Sequence, residues 1–264
     1  MNPTDLSTLM NPDLVWVMVT SMMRSAVALS LIPLFSPQRV PVAALAALTL
    51  AVSLPVGLHR MALPLPDPGA WPMFSLLLKE AAIGSVIGLG FGAFCGGLQT
   101  AGEIIDHQTG LTFTQNIDPL HGNNVAVTAI ALEHILFAAL VGSGFILAIV
   151  DTLYASYQAW PMGTVVPRLG DFIPVTIAQG SGALLSLALL LAGPVVLVLF
   201  IVDVGMSLLN RAAPTFGIFN LTLSMKSLVG LLVLVAALPM VMTRSLIAAK
   251  EVAVLLRQLI VGAT

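Results

Sequence analysis

The sequence predicts an all-α fold, a polytopic membrane protein of about six apolar helical segments. Three observations predict it. Hydrophobic residues make up 58% of the chain and charged residues 8%, whereas soluble domains carry charge at about 25% of positions; the mean hydropathy is +1.03. Uncharged or nearly uncharged stretches recur near the roughly 20 residues that a helix needs to cross a hydrocarbon core. Strand-like alternation is missing and Leu, Ala, Val and Gly dominate, which favours a helical bundle over an outer-membrane barrel.

The first segment, 14–35, is interrupted only by Arg24. Residues 1–13 carry two aspartates and no Lys or Arg, so they lack the basic region of a cleavable signal peptide and the segment should be retained. A tight turn, Ser36-Pro37-Gln38-Arg39, leads to the second segment, 40–58. Leu63 to Pro72 should be an external loop rather than regular helix, because its prolines remove backbone donors. Trp71, and Trp160 before Pro161, fit interfacial anchors, with plain loop residues as the alternative. The third segment, 74–102, is charged only at Lys79 and Glu80, and the fourth, 125–150, only at Glu133 beside His134. The fifth, 172–202, is longer than one perpendicular span and should tilt, kink or divide near Pro194. The sixth is 227–243. From Arg244 to Gly262, Leu246, Ala249, Ala253, Leu256 and Ile260 share one face and Lys250 and Arg257 another, which predicts an amphipathic cytoplasmic helix. Six spans put both termini on the side that collects Arg60, Lys79, Arg168, Arg244, Lys250 and Arg257, hence the cytoplasm.

A net charge of -2 leaves no basic surface for nucleic acid, so partners should be lipid and other apolar protein. A lone Cys95 excludes an internal disulfide and a cysteine metal cluster. Gly84, Gly88, Gly92 and Gly96 recur every fourth residue, a small-residue stripe that lets a neighbouring helix approach closely; the glycines lack the GxGxxG register of a nucleotide loop. Glu103, Asp106 and His107 share a helical face and His121, Glu133 and His134 follow, a conceivable zinc or iron set. Without HExxH or another close ligand pair, the stretch reads better as a helix end followed by a Gly-, Asn-, Asp- and Pro-rich loop, 109–124. No nucleophile stands with a base, so the residues point to no enzyme, no cofactor and no metal.

The polar interruption Asp203 to Lys226 carries the most functional information, because a charge or a helix break near lipid is costly unless it faces protein, water or cargo. A proton or ion relay through Glu80, Glu103, Asp203 and Lys226 is one reading. Mutual neutralisation of Asp203, Arg211 and Lys226 is the other.

Two segments carry a resemblance. Leu77-Leu-Lys79-Glu80-Ala-Ala-Ile-Gly84, through Gln99, Gly102-Glu103-Ile-Ile-Asp106-His-Gln108-Thr-Gly110-Leu-Thr-Phe113, to Asp118-Pro119, is similar to the third-helix and loop signature of the FliR/SctT family. Asn210-Arg211-Ala-Ala-Pro214, then Phe219 and Lys226, resembles that family's second hallmark, with Thr215 and Gly217 where the family commonly has Gln and Asn. The resemblance implies the T component of a type III secretion export apparatus in the bacterial inner membrane, without enzymatic activity or cofactor. It implies one T subunit with five R and four S subunits, contacts to the switch protein U and the export gate protein V, and a portal for unfolded secretion substrates. Residues 1–170 would be R-like, 171–243 an S-like helical hairpin with a broken turn at 203–226, and 244–264 the C-terminal helix. Gln108, Gly110, Phe113, Asp118 and Pro119 would lie in the pore-closing loop, with Phe113 an apolar constriction that blocks ions by dewetting. Asp203, Asn210, Arg211, Pro214, Phe219 and Lys226 would form the cytoplasmic turn and subunit contacts. Asp203 with Lys226 resembles the injectisome type more than the flagellar type.

Two further function classes make different demands. A secondary transporter needs similar halves with paired broken helices, but the Pro-rich and polar loops both fall in the first half. A membrane enzyme needs a convergent catalytic set.

Overall fold

The computed structural model describes residues 12–37, 39–61, 70–110, 127–162, 172–212 and 218–262, and all their regular structure is helical. Each apolar stretch forms helix: α1 Pro12–Ser30, α2 Val42–Met61, α3 Ala70–Thr109, the pair α4 Val127–Gly142 and α5 Phe145–Ala159, α6 Phe172–Ala212 and α7 Ile218–Gly262. Among the described residues four helices are long and apolar enough to cross a membrane, or up to five spans if the bent pair α4–α5 counts as one. The described apolar part of α1, Val15–Ser30, adds a shorter apolar helix, so each of the six expected apolar segments is helical.

Three local differences from the sequence expectations have plain causes. Trp71 and Pro72 lie in the first turn of α3 rather than in a loop, because a helix's first N–H groups have no intrahelical acceptor and proline there forfeits nothing. The stretch 125–150 breaks at Ser143 and Gly144, where Gly144 adopts φ 87°, a conformation that costs other residues a clash with Cβ. Conversely, α6 runs undivided for 41 residues through Pro194 and α7 for 45 through Pro239. Arg244 to Gly262 therefore continues α7, with Ala249, Leu256 and Ile260 buried and Lys250 and Arg257 exposed.

The chain forms two compact units. In the first, residues 1–93, 146–181 and 251–264, α1 packs on α2 and a core of Ala28, Leu29, Ile32, Ile87, Phe91 and Leu153 is closed to solvent. In the second, residues 94–145 and 182–250, Leu98, Leu136, Leu140, Val195 and Leu199 are buried and the Phe94 and Phe145 rings lie 5.4 Å apart.

Candidate functional site

The first unit buries three charged side chains, Arg24, Lys79 and Glu80. Arg24 and Glu80 each have no solvent exposure and Lys79 has 4%. Arg24 Nε donates to Glu80 Oε2 at 2.7 Å, and Lys79 Nζ lies 2.9 Å from Glu80 Oε1. Two cations thus share one carboxylate, and other groups supply the remaining electron density. Arg24 donates to Ser156 Oγ at 3.0 Å and to the Trp160 carbonyl at 2.9 Å, and its guanidinium sits 4.1 Å from the centroid of the Tyr157 ring. Lys79 donates to the Pro161 carbonyl at 2.9 Å. Trp160 is 3% exposed, so it is an interior residue of the unit rather than an interfacial anchor. Beside Glu80, Trp16, Thr20, Arg60, Leu76 and Met162 line a cavity of about 20 Å³, room for a single water and too small for a substrate. Arg24, Ser156 and Tyr157 escaped the sequence reading as a site. The available signal was one arginine in one apolar segment and a Lys-Glu pair in another, since charges within spans pair with one another.

The glycine stripe fits against backbone. A Cβ on Gly84 would collide with the Arg24 carbonyl oxygen, one on Gly88 would lie 2.6 Å from the Ala28 carbonyl oxygen, and one on Gly92 would lie 2.8 Å from that of Leu31. These three glycines accept α1 and Leu31, the residue that follows it. In the second unit Gly96 and Gly97 face Leu184 of α6.

The second unit gathers the predicted polar residues at one helix end. Gln108 lies in the last turn of α3, and Gly110 ends the helix with φ 78°, the left-handed geometry that closes helices and suits glycine. Gln108 Nε2 donates to Asp203 Oδ2 at 3.2 Å, while Lys226 Nζ sits 2.9 Å from Asp203 Oδ1 and 3.0 Å from Oδ2. Asp203 therefore bonds to α3 and α7 at once. Next to Gln108, a Cβ on Gly230 would lie 2.6 Å from the Thr109 methyl carbon, so α7 approaches the end of α3 closely. Asn210 and Arg211 are exposed in the last turns of α6. Phe113, Asp118, Pro119 and Pro214 lie outside the described residues, and of Phe219 only the helical backbone in α7 is described.

The possible metal set divides. Asp106 faces inward while Glu103 and His107 are exposed, Glu133 accepts a hydrogen bond from Gln99, and exposed His134 pairs through Nδ1 with its own helix at the Ile130 carbonyl. Among the described residues no three His, Cys, Asp or Glu side chains could hold a metal ion. Glu80 and Asp203 each have their own cationic partner, which favours neutralisation over a relay at these two positions.

The profile of the bacterial export proteins, family 1, matches residues 15–251. Yop proteins translocation protein T of Yersinia pestis is 27% identical over 172 residues, 65% of this chain and 66% of that protein. Surface presentation of antigens protein SpaR of Salmonella typhimurium is 35% identical over 167 residues, 61% of this chain and 60% of that protein. Flagellar biosynthetic protein FliR of Escherichia coli is 26% identical over 223 residues, 83% of each chain. The chain thus spans less than two thirds of the Yersinia and Salmonella relatives' length, and the injectisome-type names lie slightly closer than the flagellar one.

Proposed function

The chain belongs to the bacterial export proteins, family 1, non-enzymatic membrane components of type III export apparatus, and from that membership we propose that it is the T subunit of an injectisome-type export gate. It is a multi-pass protein of the bacterial inner membrane. In this reading one copy joins five R and four S subunits, meets the switch protein U and the export gate protein V, and helps to form the portal through which unfolded proteins leave the cytoplasm. The C-terminal end of α7, with exposed Lys250 and Arg257, lies on the cytoplasmic side.

The observation that carries the assembly reading is the bareness of α7. Over its apolar window only 11% is buried within the chain, and Leu228, Leu231, Leu232 and Val235 stand exposed. A contiguous apolar surface of this kind demands lipid or another protein. R-like and S-like parts, 1–170 and 171–243, supply surfaces of the kind that partner subunits share. Within the portal, Gln108, Gly110, Phe113, Asp118 and Pro119 belong to the pore-closing region, and Asn210, Arg211, Pro214, Phe219 and Lys226 to the turn between α6 and α7, its flanking helix ends and subunit contacts.

Deleting this chain from the secreting bacterium should abolish export of the secreted substrates, and the same chain in trans should restore it; secretion unaffected by the deletion would refute the proposal. Phe113→Ala should leave assembly intact and raise small-ion leak across the membrane, because a narrower apolar side chain weakens a dewetted barrier. Unchanged conductance in assembled complexes would remove Phe113 from the gate.

A further inference from the structure

The carboxylate of Asp203 is the point where three helices meet. Its two oxygens take Lys226 of α7 at 2.9 and 3.0 Å, and Oδ2 also accepts Gln108 Nε2 of α3 at 3.2 Å. Beside it the Gly230 and Thr109 contact seats α7 on the end of α3. The apolar contact is non-directional and does not itself fix position along the helix, whereas a charge-assisted hydrogen bond does. Because α7 buries so little of its apolar window, 11%, few packing contacts hold it to the chain and the polar clamp carries a larger share of its attachment.

We propose that Asp203 is a positioning residue, a latch that makes the α6–α7 hairpin and the C-terminal end of α3 move as one body. While the carboxylate is charged and in place, a displacement of the hairpin carries Gln108 and Thr109 with it. With the charge withdrawn, the hairpin and the α3 end separate. The placement of this latch in the export path rests on the function proposed above; its mechanical role does not.

The test uses the full chain, on a Cys95→Ser background, with spin labels on His107→Cys and Leu228→Cys, two exposed sites on either side of the latch. Pulsed electron paramagnetic resonance should give one narrow distance distribution with Asp203 intact and a broadened one for Asp203→Asn. Gln108→Leu, which spares the ion pair, should broaden it too. The exchange Asp203→Lys with Lys226→Asp should restore the narrow distribution, because the Gln108 amide offers a carbonyl oxygen to the introduced ammonium as readily as it offers its NH2 to the native carboxylate. An unchanged distribution in both single variants, or an exchange no narrower than Asp203→Asn, would overturn the latch.

In complexes with R and S subunits, Asp203→Asn should also raise ion conductance several-fold at unchanged copy number. Broadening without added conductance would keep the latch and sever it from the export path, and loss of assembly would make Asp203 an assembly residue instead.

Discussion

At Glu80 two buried cations depend on one carboxylate, and the consequence of removing each partner differs. Breaking a buried ion pair from one side costs about 3–5 kcal/mol, because a charge is left without compensation. Glu80→Gln strands both Arg24 and Lys79, so it should cost that amount. Arg24→Met leaves Glu80 with Lys79 at 2.9 Å and should cost less. Unfolding midpoints in mild detergent check the order; the reverse order would mean that Ser156, the Trp160 carbonyl and Tyr157 carry Arg24 without the carboxylate. Arg24 shows what the sequence could express at this scale. Its presence in an apolar segment announces that a partner exists, but the partner is 56 positions away on another helix, and no local spacing reveals which carboxylate it is. Asp203 and Lys226 were legible as charges needing neutralisation because they flank one interruption of the apolar pattern.

At the scale of elements, the glycine stripe illustrates both what a helical period reveals and where it stops. Spacing by four marks close approach, yet each step of four advances about 40° around the helix at 3.6 residues per turn. Between Gly84 and Gly96 the direction has turned by about 120°, which accounts for α1 and the Leu31 that follows it meeting the first three glycines and α6 meeting the fourth. Gly88→Ala should therefore destabilise the protein by about 1–3 kcal/mol through overpacking against the Ala28 backbone. Gly205→Ala, in α6 with open space around its Cβ position, should stabilise the isolated chain by about 0.5–1 kcal/mol. Paired unfolding curves measure both, and equal signs would contradict the packing described. The break between α4 and α5 was written in Gly142-Ser143-Gly144, but an apolar run long enough to span conceals a turn that only backbone geometry reveals.

For the molecule as a whole, composition, the length of the apolar stretches and the missing strand alternation carried the helical class, because a backbone in lipid is satisfied by helices or closed barrels and no barrel pattern is present. The partition into two units was not legible, since each gathers separate stretches of chain and its boundary cuts α3, α6 and α7 within continuous helix. Helix length adds a constraint of its own. At 1.5 Å per residue, helices of 40, 41 and 45 residues extend about 60 Å or more, about twice a hydrocarbon core of about 30 Å. Such helices incline steeply or leave the bilayer, and faces that leave it need protein to cover them. An export-gate subunit meets that requirement in its assembly, whereas a transporter acting alone would have to meet it with lipid. Native mass spectrometry of the chain co-expressed with the proposed R and S partners and extracted in mild detergent tests this most directly. One copy with five R and four S subunits is the predicted result, and a stable monomer or symmetric homo-oligomer retaining no partner would contradict it.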